Sequence, residues 1–218
     1  MDVNPPIERD ETARGGKAAI ILAAARREFL ASGFGAVSMD AIAREAGVSK
    51  ATVYAHFAGK EELFGAVVAD VSEHHFRGFS ARELDPVDVV ASLTILARRF
   101  LDLVLSPEAI AVNRIIIGEA IRFPALGQVF WQAGPERTRA QIETFMRRAG
   151  DAGSLAIADA RMAADQFASL VRGEIHIRHL MRVETAADSA RSAEVAQSAV
   201  DVFLRAFAIR SDDQERLR

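Results

Sequence analysis

The chain has 218 residues, half of them hydrophobic, no cysteine and a net charge of −3. That length suits two helical domains or one continuous helical body, and the missing thiols exclude disulfides, thiol catalysis and thiolate metal sites. No apolar run reaches the roughly 18 residues that span a bilayer, and the first residues, MDVNPPIERDETARGG, lack the apolar centre of a secretory signal; a cytoplasmic location is expected.

In chain order, residues 1–13 read as a flexible polar tail. A first helix is expected over 17–32, with Ile20, Ala24, Phe29 and Leu30 as its apolar stripe. Gly33-Phe34-Gly35 ends it, and Phe34 is expected to insert into a small core. A short helix follows over 39–46, where Met39, Ile42, Ala43 and Ala46 recur at steps of three and four. Ser38 is its candidate N-cap. Gly47 stands where the chain must reverse, because glycine takes the left-handed conformation without a Cβ penalty. Ser49 caps the next helix, 50–57. Such a unit can place the N-terminal residues of its second helix against base edges in a major groove about 12 Å wide. There Lys50, Thr52 and Tyr54 supply a cation, a hydroxyl and a phenol, and Ala51, Val53 and Ala55 leave room for close approach.

Charge alone is less telling. The three lysines, Lys17, Lys50 and Lys60, all lie in the N-terminal third, yet between Arg9 and Lys60 eight basic side chains face five acidic ones. Read by charge, this is an ordinary solvated surface.

The order and spacing of Ala46-Gly47-Val48-Ser49, Thr52-Val53-Tyr54, His56-Phe57 and Lys60-Glu61-Glu62-Leu63-Phe64 resemble the DNA-binding domain of the TetR family of bacterial regulators. The resemblance covers about residues 14–64. It implies an all-α protein with a helix-turn-helix domain over 14–60 and a larger helical regulatory and dimerisation domain over 61–210. It also implies that Thr52, Tyr54 and His56 face bases or phosphates and that Lys60 meets a phosphate. With Lys50 and the capping serines, the expected DNA-facing set is Ser38, Ser49, Lys50, Thr52, Tyr54, His56 and Lys60.

Beyond it, a connector helix is expected over 60–79, carrying Leu63, Phe64, Val67, Val68 and Val71 inward. Helical spacing continues over 87–105. After Ser106-Pro107-Glu108 a helix runs to about residue 122, and Pro124 breaks it. Gly134-Pro135 precedes a helix ending near residue 150. Two long amphipathic helices, 159–181 and 187–209, close the chain before a charged tail, 211–218. Arg114-Ile-Ile-Ile-Gly-Glu119-Ala, Arg122-Phe123-Pro124 and Gly153-Ser-Leu155 add a looser resemblance to the AefR-like C-terminal domain of that family.

No local pattern pairs a nucleophile with a base, so no enzyme is expected. The pairs His74-His75 and His176/His179 are the only metal-like arrangements, and each lacks further ligands; neither a metal nor a cofactor is expected. The expected partners are a double-stranded DNA operator, a second copy of the chain and a small-molecule effector, with no membrane. The alternative is a protein partner in place of the effector. Phe100, Arg114, Trp131, Phe145 and His176 are the candidate effector contacts, as aromatic, basic and polar groups suited to a largely apolar pocket. Phe167, Val171, Val195, Ala199, Val202 and Phe203 are the candidate dimer contacts. Apolar residues there spread beyond one stripe, and the small Ala163, Ser169 and Gly173 would let helices approach closely.

Overall fold

The computed structural model describes residues 8–76 (side chains from 16), 80–185 and 188–209. Among them every regular element is an α-helix: α1 (Glu8–Ser32), α2 (Met39–Glu45), α3 (Lys50–His56), α4 (Lys60–Phe76), α5 (Val89–Val104), α6 (Pro107–Glu119), α7 (Pro124–Ala133), α8 (Pro135–Asp151), α9 (Ala160–Leu180) and α10 (Ser189–Phe207). The all-α expectation holds. Expected tail residues 1–7 and 211–218 and the end of the connector at 77–79 lie outside the described residues.

The chain divides into two compact units, Met1–Asp70 with Ala111–Ala133, and Val71–Ile110 with Gly134–Arg218. The boundary expected at residue 60 falls inside the first of these units. The first unit takes in most of α4 and recruits α7 and most of α6, because their apolar faces complete its core. Ile21, Ala24, Phe29, Phe34, Ile42, Val53, Leu63, Phe64 and Val67 share that core with Val112 and Leu126. Phe29, Phe34 and Phe64 contact one another with ring centroids 5.3–5.8 Å apart, and Phe123 closes on Phe34 at 5.2 Å.

Helix α1 differs from expectation twice. It begins at Glu8 rather than at 17. Glycine within a helix costs about 1 kcal/mol relative to alanine, so Gly15-Gly16 reads as a boundary. Once the buried face of α1 has formed a nucleus, however, extension adds one hydrogen bond per residue fixed and carries the helix through. The inward residue is Ile21, fully buried, while Ile20 is 52% exposed. Ala24 and Phe29 of the expected stripe are fully buried, so the reading departs from the structure only at its first position.

In the second unit α9 lies against α5, α8 and α10. Leu93, Leu96, Leu101, Ile142, Phe145, Met146, Phe167, Val171, Val200 and Phe203 form its core. Arg148 of α8 donates to the carbonyls of Ala81 and Leu84 at 3.1 and 2.9 Å, tying down the approach to α5. Within α9, Gly173 has φ +43° and ψ −152°, a conformation that side chains with a Cβ avoid. The helix expected to be continuous is broken there, so Gly173 serves a kink rather than only a close approach.

Candidate nucleic-acid interface

The local chemistry of the α2–α3 pair explains its shape. Ser38 Oγ accepts from the Ala41 amide at 3.1 Å, and Ser49 Oγ from the Thr52 amide at 3.1 Å, so each short helix has a side-chain N-cap. Between them Gly47 takes φ +66°. Its amide reaches the Arg44 carbonyl at 3.1 Å, and the Val48 amide reaches that of Ala43 at 3.0 Å, which satisfies carbonyls at the end of α2. Val53 faces inward and is fully buried, while the next residue, Tyr54, turned away round the helix, is 47% exposed. Burying one apolar position of α3 fixes which face points outward.

Seven DNA-facing residues were expected, and the structure gives them different settings. Ser49 and Thr52 join their hydroxyls at 2.8 Å, and Ser38 and Ser49 are the caps. Lys50 Nζ lies 2.8 Å from Asp40 Oδ1 of α2 and 6.0 Å from the centre of the Tyr54 ring. Hydrogen bonding to Asp40 raises the Lys50 pKa above its ordinary value, so the cation is secure. Both partners are largely exposed, and an exposed pair of this kind is worth little and can be exchanged for a phosphate. Tyr54 and Lys50 thus form one outward patch. His56, at the end of α3, is half-buried.

Lys60 is engaged inward. Its ammonium donates to the Phe34 carbonyl at 2.8 Å and the Val37 carbonyl at 2.9 Å, and sits 4.3 Å from the centre of the Phe34 ring. Two of its three N–H bonds hold the loop between α1 and α2. At the same end of α4, Glu62 accepts from the Ala58 amide at 2.6 Å.

One residue that sequence reading gave no role completes this loop. Glu119, at the end of α6, accepts from the Phe34 amide at 2.7 Å and from the Gly35 amide at 2.6 Å. Its partners lie 85 and 84 residues away, so no local pattern announces them. The glycines on either side of Phe34 are the nearest thing to a signal.

The candidate effector contacts belong to both units. Phe100 is 8% exposed, Phe145 is fully buried, and both belong to the core of the second unit. His176 is buried in that unit; burial first, then Arg172 and His179, lower its pKa from 6.5 to about 4. Arg114 and Trp131 belong to the first unit, both exposed, Trp131 by 54%. Phe123 and Phe130 pack against the core of the first unit.

The candidate dimer contacts divide in the same way. Phe167, Val171 and Phe203 are fully buried in their own subunit, and Phe167 and Phe203 meet edge to face at 5.2 Å. They are intrasubunit core, not interface. Val195, Ala199 and Val202 line an open groove of about 350 Å³ with Leu170, Glu194 and Ser198.

A capped helix-turn-helix over a closed aromatic core, in a chain that carries a second helical unit, defines a DNA-binding regulator. Residues 21–67 match the family model of the bacterial regulatory proteins of the TetR family, and residues 91–209 match the C-terminal domain of AefR-like transcriptional repressors. The chain belongs to the TetR family. It is 30% identical over 160 residues to the transcriptional regulator SrpR of Pseudomonas putida, 72% of each chain. Among solved structures it is similar to the flavonoid-responsive regulator FrrA, with 35% identity, a TM-score of 0.73, and coverage of 90% of this chain and 100% of that one. A TetR-family regulator from Mesorhizobium loti gives 28% identity and a TM-score of 0.76, with 90% and 98% covered. These relatives are regulators, not enzymes. No helix among the described residues is long and apolar enough to cross a membrane.

Proposed function

We propose that the protein is a homodimeric, cytoplasmic repressor that leaves a palindromic operator when a small molecule binds it. The observation that carries the DNA-reading half is the exposed Lys50–Tyr54 patch on α3, held outward by buried Val53 and by two serine caps. Thr52 and His56, further round α3 from that patch, are assigned to the DNA-facing set with it. A palindrome requires two such helices about one turn of DNA apart, roughly 34–36 Å, and therefore two subunits.

The assembly reading is supported by the α9–α10 surface. Met162, Leu170, Ile177 and Val202 are 39–54% exposed on these helices, and Leu170 and Val202 line the groove together with Val195 and Ala199. A twofold interface would set this patch against itself and remove it from water.

The effector reading is supported by similarity to FrrA, a flavonoid-responsive regulator. An effector releases DNA only by binding better to a conformer in which the two recognition helices are wrongly spaced. Helices α4 and α6 each contribute residues to both units, and the chain crosses a third time from Ala133 to Gly134, so these three crossings are the covalent routes for that shift.

The test begins with selection of a duplex from a random pool by the unmodified protein. The selected site should be an inverted repeat bound by a dimer, and Tyr54→Ala should weaken binding with no change in thermal stability. A panel of flavonoids and related planar phenols should then release the complex. Selection of a non-repeated site, or equal affinity of the Tyr54 variant, would refute the DNA-reading assignment. Failure of every small molecule, with release by a protein from the same cell, would refute the effector assignment.

A further inference from the structure

We propose that Glu119 is a positioning residue for DNA reading: from the C-terminal end of α6, its carboxylate holds the loop that leads from α1 into the helix-turn-helix. The proposal rests on the DNA-reading assignment above.

The loop over 33–37 has no ladder of its own. The Gly33 amide ends α1 by donating to the Phe29 carbonyl at 2.8 Å. The next two amides, those of Phe34 and Gly35, need acceptors, and Phe34 is fully buried, so leaving its amide unpaired would be costly. Both amides go to Glu119, one to each carboxylate oxygen, at 2.7 and 2.6 Å. Bonds this short to an ionised acceptor are about twice as strong as neutral ones. On the other side, the loop's Phe34 and Val37 carbonyls accept from Lys60. An anion thus holds its N–H groups and a cation its C=O groups.

Space has been left for this grip. A Cβ on Gly33 would stand 2.7 Å from Glu119 Oε1, and one on Gly35 would stand 2.8 Å from Oε2. Gly33 needs φ +79° in any case. Gly35 has no positive φ, so a Cβ there would be accepted by the backbone but would push the Glu119 carboxylate aside and stand 3.4 Å from the Phe123 ring. One residue beyond the loop, Ser38 caps α2. A shift of the loop therefore moves the first turn of the pair that reads DNA. Phe123, one turn past Glu119, lies edge-on to Phe34 at 5.2 Å, so the carboxylate and the ring locate the loop together.

The test uses full-length protein and a duplex selected from a random pool by the unmodified chain. Glu119→Gln keeps the shape but removes the charge and one acceptor. It should bind the duplex about tenfold more weakly, as loss of a charge-assisted hydrogen bond implies, with helicity and oligomeric state unchanged. Hydrogen exchange should quicken at the Phe34 and Gly35 amides but not at those of Ile21 or Leu63. Gly35→Ala should also weaken binding in the parent, yet add little to Glu119→Ala, because its methyl group collides with the carboxylate; a residue contributing only to general stability would show multiplying effects. The proposal is overturned if Glu119→Gln binds within twofold of the parent, or if the Gly35 and Glu119 effects multiply. If the unmodified protein selects no duplex at all, the DNA-reading assignment falls and this one with it. If it selects one that every variant binds equally, only the role of Glu119 falls.

Discussion

Replacing Lys60 by methionine separates two roles for the cation. The stem is preserved and the ammonium is lost. In the structure that ammonium makes two hydrogen bonds to backbone carbonyls at 2.8 and 2.9 Å and lies 4.3 Å above an aromatic face. Charge-assisted hydrogen bonds contribute about 1.5–3 kcal/mol each, and a cation over a ring contributes about 0.5–1 kcal/mol at an exposed site. Because Lys60 is half-buried, water recovers part of this, and a loss of about 2–3 kcal/mol is expected. For a chain of this size that lowers Tm by roughly 4–12 °C. Paired melts and salt titrations of DNA binding decide the matter. As an internal tie, Lys60→Met should melt early, while the slope of log affinity against log salt stays that of the parent. A phosphate contact would instead leave Tm unchanged and reduce the slope by about 0.9. That second result would refute the internal role.

Two further predictions follow from burial. Between about pH 4 and 6.5 the unfolded chain carries a proton on His176 that the folded chain excludes, so stability rises with pH through that window and is lost as pH falls from 6.5 toward 4; the contribution is on the order of 2–3 kcal/mol. Urea midpoints at pH 7 and pH 4.5 should therefore converge in His176→Leu, and an unchanged difference would remove His176 as the source. Val202→Glu, at a site 47% exposed beside the α9–α10 groove, should give folded monomers in sedimentation. Phe203→Glu, at a fully buried site, should fail to fold because it leaves a charge unpaired in the core; a folded Phe203→Glu monomer would return that residue to the interface.

The sequence made the helix-turn-helix legible because its signals are local. Ser38, Gly47 and Ser49 each act within four residues, and both caps and the turn stand where their chemistry predicts. Apolar composition also marked α9 and α10, but not which apolar side chains turn inward. Phe203 and Val202 are neighbours with opposite fates, and only packing against Phe167 decides between them. Residue type alone points to the candidate effector contacts, and type does not report burial, so it cannot part the core ring of Phe145 from the exposed ring of Trp131. The inward bonds of Lys60 and the part played by Glu119 are hidden for a related reason. Their partners are backbone groups of a loop that has no side-chain signature beyond two glycines, and for Glu119 that loop is 85 residues away.

The same long-range debt bears on whether the DNA-reading segment can stand alone. The family match for that segment ends at residue 67, but its core does not. Val112 and Leu126 are buried in it, and Ile115, Ile116, Phe123, Phe130 and Ala133 pack against it. A Cβ on Gly65 would stand 2.7 Å from Val129 Cγ1, so α4 and α7 touch almost backbone to side chain. Without α6 and α7, Phe34 and Phe64 would face water, and the Phe34 amide would lose its carboxylate. A domain of about 60 residues is marginal even with a complete core. A fragment of residues 1–75 should therefore lack a cooperative melt and protected amides at Phe34 and Gly35, and a peptide of residues 107–135 should restore both. A fragment that melts cooperatively and binds the selected duplex as tightly as the whole chain would refute this, and α6–α7 would then be covering rather than core.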